Sequence, residues 1–423
     1  MRIAIIGGGA SGCFAAINIK RRLPEAEVTV YESGKKLLAK VAVTGGGRCN
    51  LTNSFENVRN IGDVYPRGAI LMKRLLKEFD NKETCKWFEN EGVRLVTQKD
   101  KCVFPKSQNA MEIVSTLTKL MFKHNVVTRT GYRANEIRFE EKKSGDGKIS
   151  KTYRISFTNN THIHADIVLV TTGGSPKPCG LDMFKTLELD IAKPVPSLFS
   201  FCLSDHGINE LTGTVVNNVT VGIAGTRLRA TGPLLITHQG MSGPAILKLS
   251  AHAARLLNER GYKAQMIVNW LGTKNERETA DMIDTMAVNN KQKQMANVYP
   301  EQLNSRLWNN LLIQSKLNPE QRWKDLGRTG VNKLAAILTG NIYNVKGKNR
   351  FKDEFVTCGG IALNNINPAL LECKKHSGLY FAGEVLDVDG VTGGFNLQAA
   401  WTMGYVAAKS IAGKSKNNIQ KTT

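Results

Sequence analysis

The chain of 423 residues is short of acid: 36 Asp and Glu stand against 58 Lys and Arg, a formal charge of +22. That imbalance is unusual for an enzyme of small molecules and points to a polyanionic partner or an acidic surface. The excess is local, amounting to 13 in residues 1–186 and 9 in 291–352, and to zero in 187–290 and 353–423. Patterned cysteine is also missing. The eight cysteines (13, 49, 85, 102, 179, 202, 358 and 373) include no C-x-x-C pair and no regular framework, which suits reduced thiols in the cytoplasm. No run approaches the ~18 apolar residues of a membrane span, and Met1 leads directly into a strand-like run without a signal-type segment. The expectation is a soluble cytoplasmic protein of two or three domains, with no membrane partner and no metal.

What is present begins at once. Ile3, Ala4, Ile5 and Ile6 form the short apolar run of a strand buried on both faces. Gly7, Gly9 and Gly12 fill the G-x-G-x-x-G pattern, Cys13 to Ile19 start a helix, and Val28 to Tyr31 form a second strand ending at Glu32. Gly7 permits a tight turn, Gly9 lets backbone approach a pyrophosphate, and Gly12 lets helix and strand pack closely. The helix N-terminus offers N–H groups to the anion, and Glu32 holds a ribose hydroxyl. An acid at this place favours an unphosphorylated ribose, as in FAD or NAD.

The next segment carries Lys36 and Lys40, then Thr44-Gly45-Gly46-Gly47-Arg48-Cys49-Asn50. Three successive glycines remove side chains where backbone must lie against something flat or anionic. Lys36, Lys40 and Arg48 can neutralise a pyrophosphate or a reduced flavin. Further on, periodicity predicts a helix pair over 69–91, a strand ending at Pro105, a helix over 111–122, and strands from Val126 to Phe157 joined by a polar tip at 142–151. Ile167 to Val170 form another apolar strand, which ends in Thr171-Thr172-Gly173-Gly174.

Near Pro194 the pattern changes to short alternating runs such as Val215–Ile223 and Leu234–Thr237, the mark of a small antiparallel barrel or sandwich. The turn-rich loop 237–244 holds His238, a candidate proton donor. A His238–Ser242 nucleophile pair lacks both an acid partner and a G-x-S-x-G elbow. Residues 276–340 are helical by pattern, with helices expected at 276–288, 300–317, 319–326 and 331–338. Lys316, Arg322, Lys324, Arg328 and Lys333 crowd this segment, followed by Lys346, Lys348, Arg350 and Lys352. Trp308, Trp323 and Tyr343 are interleaved with them. They serve either as stacking faces for bases or as a small core behind a solvated basic face. The polar tail 414–423 is expected to be disordered.

The opening pattern then returns. Strand-like runs at 355–362 and 378–384 end in glycine, and Asp387 to Gln398 lead into a helix over 399–412. A strand ending in Gly383-Glu384 and a helix opening on Gly393-Gly394-Phe395-Asn396 are where a flavoprotein contacts the ribityl chain and ring. These contacts and the triple-glycine loop decide for FAD. No second G-x-G-x-x-G follows a strand, so NADH or NADPH is expected to visit the flavin directly as a transient donor, unless electrons pass to oxygen.

Gly7–Glu32, the T-G-G-G-R-C-N-L-T-N segment 44–53, Phe104-Pro105, the T-H-Q-G-M-S-G-P-A-I-L segment 237–247, Thr357–Ala362 and Gly378–Trp401 occur here in order. Together they resemble the three-domain bacterial flavoproteins that include BaiN-like and aminoacetone-oxidase-like proteins. Lys101-Cys102 departs from the Gly-Arg that relatives often carry before Phe-Pro, and Pro176-Lys177-Pro178 replaces a longer glycine-rich stretch. The resemblance implies an α/β fold: a Rossmann-like FAD domain from residues 1–190 and 345–423, split by a β-barrel insert over 191–275 and a basic helical module over 276–340. A closing barrel strand is expected near 341–352. The implied cofactor contacts are Gly7, Gly9, Ala10, Ser11, Gly12, Glu32, Lys40, Thr44, Gly45, Gly46, Gly47, Arg48, Ala134, Thr172, Gly173, Gly383, Glu384, Gly393, Gly394, Phe395 and Asn396. Family members that look like rRNA dihydrouridine synthases reduce a uridine, while others are amine oxidases or steroid-type reductases. The expectation is an FAD-dependent, NAD(P)H-driven reduction of a C=C bond, with uridine in large-subunit rRNA as the first candidate and Cys49 or His238 as proton donor; the other readings are a buried inert thiol at Cys49 and a hydrogen-bonded structural histidine at His238. RNA is expected to dock on Arg322, Lys324, Arg328, Lys333, Lys346, Lys348 and Arg350. A small-molecule oxidase or reductase with an incidental basic surface and a non-enzymatic RNA-binding flavoprotein are the alternatives.

Overall fold

The computed structural model describes residues 1–143, 149–175, 178–204, 206–349 and 356–420. They form two compact units, one of Met1–Val195 with Val356–Thr423 and one of Pro196–Phe355. In the first unit a five-stranded sheet runs in the order Leu379–Phe381, Ile167–Val170, Arg2–Ile6, Glu27–Glu32, Val127–Thr130. Every pairing is parallel. Ile3, Ile5 and Ile6 are at most 2% exposed, as expected for a strand covered on both faces.

The helix Ala10–Arg22 follows the first strand and packs on the long C-terminal helix Phe395–Gln420. Their contact is close enough that a Cβ on Gly404 would stand 2.8 Å from the Ser11 carbonyl oxygen. Phe14 fills the space beneath, with Trp87, Phe79, Phe88 and Trp401 around its ring. The helix pair expected over 69–91 is Ala69–Leu75 and Asn81–Asn90, the latter capped by Asp80 accepting from Glu83 N–H at 2.9 Å. The unit also holds two antiparallel three-stranded sheets, and Ile191–Pro196 pairs with Thr357–Ile361 in a two-stranded one. The tip expected over 142–151 falls partly outside the described residues, at 144–148, as do Pro176 and Lys177. The tail is helical to Gln420, which corrects the expected disorder: beyond Gly413, Lys, Ser, Asn, Ile and Gln present no proline or glycine to stop it. Residues 421–423 lie outside the described ones.

In the second unit six antiparallel strands close a barrel: Phe201–Leu203, Gly240–Ser242, Arg229–Thr237, Val215–Ile223, Ala264–Asn269 and Asn341–Lys348. The closing strand therefore comes from beyond the helical segment. Val219, Val221, Ile223, Met266 and Val268 alternate inward with no exposed surface. The barrel interior, the helix Pro244–Glu259 and the helices Glu276–Asn289, Ser305–Gln314 and Gly327–Gly340 share one hydrophobic core. Barrel and helical segment thus form one unit instead of two modules.

Two local expectations are corrected. The helix expected over 319–326 is a turn with one short 3-10 segment at Trp323–Asp325; the Asn318 side chain accepts from Glu320 N–H at 3.0 Å and closes the turn locally. The last helix runs over Gly327–Gly340 in place of the expected 331–338, and Gly330 lies inside it, where a Cβ would meet Leu326 Cδ1 at 2.4 Å. Trp308, Trp323 and Tyr343 are 0%, 1% and 3% exposed, so none presents a face to a base. The apolar faces of their elements point into the shared core, which settles the two readings in favour of core packing.

Candidate active site

The glycine fingerprint packs as its spacing implies at Gly7 and Gly12. Gly7 has φ +114° and lies so close to the next strand that a Cβ would meet Thr171 O at 2.4 Å. A Cβ on Gly12 would meet Gly7 O at 2.1 Å, and only glycine fits. Gly9 differs: nothing lies within 4 Å of its Cβ position, so that side of the turn is open to a ligand. Thr171 Oγ1 donates to Gly7 O at 2.8 Å and stiffens the turn from the neighbouring strand.

Glu32 ties the same turn from the second strand. Its Oε2 accepts from Gly8 N–H at 2.8 Å and its Oε1 from Gly34 N–H at 2.6 Å. A carboxylate has lone pairs left after both bonds, so the group can still accept a ribose hydroxyl. The backbone entering the strand of Ala134 runs beside it, because Tyr132 N–H donates to Glu32 O at 2.9 Å. Ser11, in the first turn of the helix, has a buried Oγ with no hydrogen-bond partner among the described residues. A buried hydroxyl beside an open glycine turn and free helix N–H groups fits a phosphate.

The triple-glycine loop leaves the helix Ala39–Gly47 through left-handed backbone, with φ of 59°, 69° and 82° at Gly45, Gly46 and Gly47. No atom lies within 4 Å of the Cβ positions of Gly46 and Gly47. Arg48 caps the loop: its Nε donates to Gly45 O at 3.0 Å and its guanidinium lies 4.5 Å from the centroid of the Phe104 ring. Lys36, Lys40 and Arg48 are exposed cations. Cys49 is different. It has no exposed surface, and burial pushes its thiol up to about 12, so a substrate cannot reach it and it is a poor acid. Its expected part as proton donor is set aside on that ground.

From the C-terminal side, Glu384 Oε1 accepts from Thr357 N–H at 2.8 Å, and its Oε2 lies 3.6 Å from Lys40 Nζ. Gly174 packs directly on this carboxylate, and the Cβ position of Gly173 is 3.9 Å from it. Lys40, Gly173 and Glu384, from three distant parts of the chain, are thereby brought together; Thr172, one residue before Gly173, is exposed. Gly383 follows the last sheet strand, with its Cβ position 3.2 Å from Ser11 Cβ. Asn396 pins the loop before the long helix by accepting from Gly390 N–H and donating to Gly390 O, both at 2.8 Å. Gly394 must be glycine, since a Cβ would meet Thr52 O at 2.3 Å.

Sequence reasoning missed the residues that hold this loop from behind. Asn53 Nδ2 donates to Gly393 O at 3.0 Å, and Tyr65 Oη donates to Phe395 O at 2.8 Å. Arg67 forms a two-pronged pair with Asp389, whose side chain is fully buried. The second acid of Asp387-Val388-Asp389 was the available signal, because an acid in an otherwise apolar and glycine-rich run requires a partner. In the second unit, His238 sits exposed at the turn between Arg229–Thr237 and Gly240–Ser242. Ser242 Oγ lies 2.6 Å from Ser200 Oγ.

An open glycine turn, an unpartnered buried hydroxyl at a helix start, a ribose-type acid and a second glycine loop fit FAD. Together they offer places for a pyrophosphate, a ribose and a ring system. Among the described residues no helix is long and apolar enough to cross a membrane.

The HI0933-like protein Rossmann domain matches residues 1–410 of the chain. The 3-dehydro-bile acid delta(4,6)-reductase of Clostridium scindens is 28% identical over 431 residues, covering 97% of this chain and 99% of that protein. The ribosomal RNA dihydrouridine synthase of Escherichia coli is 27% identical, covering 97% and 98%, and that of Haemophilus influenzae is 25% identical, covering 96% and 98%. Among solved structures, 3-ketosteroid delta1-dehydrogenase from Sterolibacterium denitrificans superposes with a TM-score of 0.50 at 11% identity, covering 97% of this chain and 99% of that one. At that identity the likeness shows the fold alone. The chain belongs to the HI0933-like family of FAD-binding Rossmann flavoproteins and is a flavin-dependent oxidoreductase.

Proposed function

We propose that this protein is a cytoplasmic reductase of C=C bonds, driven by NADH or NADPH, and that its substrate is a uridine of large-subunit rRNA, converted to dihydrouridine. The observation that carries the substrate is the local charge: the excess of 9 within 291–352 includes the exposed Arg322, Lys324, Lys333 and Lys346. Two relatives named as ribosomal RNA dihydrouridine synthases support it. FAD, when bound, supplies hydride transfer. The protein's own residues bind and orient: Glu32 takes the ribose, Ser11 and the Gly9 turn take the pyrophosphate, and the Gly45–Gly47 and Gly393–Asn396 loops border the ring. Reducing a uracil C5–C6 bond requires a hydride at one carbon and a proton at the other. Cys49 is sealed in the core, and His238, exposed in the second unit, remains the candidate for supplying the proton.

The test is deletion of the gene followed by mapping of dihydrouridine in large-subunit rRNA. Loss of one site, restored by the wild-type gene, is the expected result; an unchanged map sinks the rRNA substrate. A second reading, reduction of a conjugated enone in a small molecule, is favoured by the relative named as a bile acid reductase. It predicts that flavin reduced with NAD(P)H is reoxidised by a steroid enone and not by rRNA.

A further inference from the structure

We infer that Lys291, Lys293, Arg322 and Lys324 form the docking surface for the phosphodiester backbone of RNA, an inference that rests on the RNA substrate proposed above. The four are spread over 34 positions of sequence, and the fold gathers them. Residues 291–295 and 321–325 lie side by side as a short antiparallel ribbon. Lys324 N–H donates to Lys291 O at 3.1 Å, Trp323 N–H to Lys293 O at 3.1 Å, and Met295 N–H to Gln321 O at 2.8 Å. Arg322 reaches across it to Gln292 Oε1 at 3.2 Å. All four cations are exposed, and none forms an ion pair among the described residues. Asp325 is the one acid within the two segments.

The ribbon is held rigidly from below. Trp323 is buried and stacks on Trp308 with centroids 6.3 Å apart, and Trp308 Nε1 donates to Met295 O at 2.7 Å. The tryptophans thus act behind the surface, as its platform. Four cations gathered on one ribbon raise the local positive potential, and a polyanion laid across them releases its own counterions. Arg328, by contrast, is compensated by Asp284 at 2.8 Å and drops out of the docking set. Arg350 lies outside the described residues. Phosphate contacts fix register and carry no sequence information, so the part of this surface is affinity and orientation.

The experiment uses the FAD-loaded full chain and an unmodified transcript of large-subunit rRNA. Binding is followed by fluorescence anisotropy across a KCl series, with dihydrouridine formation measured in parallel. The quadruple variant K291Q/K293Q/R322Q/K324Q is expected to bind about tenfold weaker or worse. Its slope of log affinity against log salt should be shallower by roughly 0.7 to 0.9 for every phosphate that the variant leaves unneutralised. Arg328→Gln should bind as wild type does, and reduction of the flavin by NAD(P)H should be unchanged in every variant. Should the quadruple variant lose its circular dichroism signal, the pairs K291Q/K293Q and R322Q/K324Q are measured instead, each with about half the change in slope. Wild-type affinity and slope in folded variants, with dihydrouridine still formed, overturn this surface and leave the proposed function standing. A wild-type protein that neither binds nor converts the transcript overturns the proposed function, and this surface with it.

Discussion

Arg67 and Asp389, 322 positions apart, meet as a buried two-pronged ion pair, with Arg67 Nε donating to Asp389 Oδ1 at 2.6 Å. Asp389 has no exposed side-chain surface and Arg67 keeps 10%. The pair does not stand alone. Val391 N–H donates to Val64 O at 2.8 Å, Tyr65 bonds Phe395 O, and Gly68 packs on Val388. Residues 64–68 thus clamp the loop that presents Gly393 and Gly394.

Arg67→Met leaves the Asp389 carboxylate buried without its fork. Losing one partner of a buried pair costs about 3–5 kcal/mol, so urea denaturation should show a loss of that order. Arg67→Lys should lose less stability but release FAD more readily, because one ammonium cannot reproduce two parallel bonds. Retention of flavin absorbance through gel filtration checks the second point.

Ser11 offers a cleaner separation of fold from cofactor. Its buried Oγ has no partner among the described residues, so Ser11→Ala removes no internal hydrogen bond. The apoprotein should keep its melting temperature, while FAD affinity falls about tenfold or more, since a hydrogen bond to a charged group contributes roughly 1.5–3 kcal/mol. Calorimetric titration of apoprotein with FAD measures it. Equal affinity in the variant places the phosphate elsewhere.

The Cys49 thiol is raised by burial from 9.0 to about 12. Above pH 9 the unfolded chain gives up this proton while the folded chain retains it, so the stabilisation is whole below pH 9 and is lost as pH rises toward 12. Cys13, also fully buried, is pushed the same way. Stability should therefore fall across pH 9–12, less steeply in Cys49→Ala than in wild type. Iodoacetamide at pH 8 should leave Cys49 unmodified until the protein is unfolded.

Trp323 distinguishes core from surface. Trp323→Ala should cost about 3–5 kcal/mol, whereas Trp323→Phe should keep most of the packing and bind RNA with nearly wild-type affinity. A large drop in RNA affinity in a stable Trp323→Phe protein contradicts the burial of this ring.

Sequence by itself determined the cofactor half of the site. Gly7, Gly9, Gly12 and Glu32 act within one strand–turn–helix–strand stretch, where spacing sets geometry, and the split Rossmann architecture was implied by the resemblance to the flavoprotein family. Tertiary structure decided what depends on distant residues meeting. The helical segment merged with the barrel into one core because its apolar faces had no other surface to cover. Trp308 and Trp323 turned inward, although their neighbours in sequence are cations, because burial of large rings outweighs any contact they make at a surface. Two loops 30 residues apart became one ribbon of positive charge. Arg67 found Asp389 across most of the chain, a pairing that no local pattern encodes, since a buried acid reveals its partner only once the fold has closed around it.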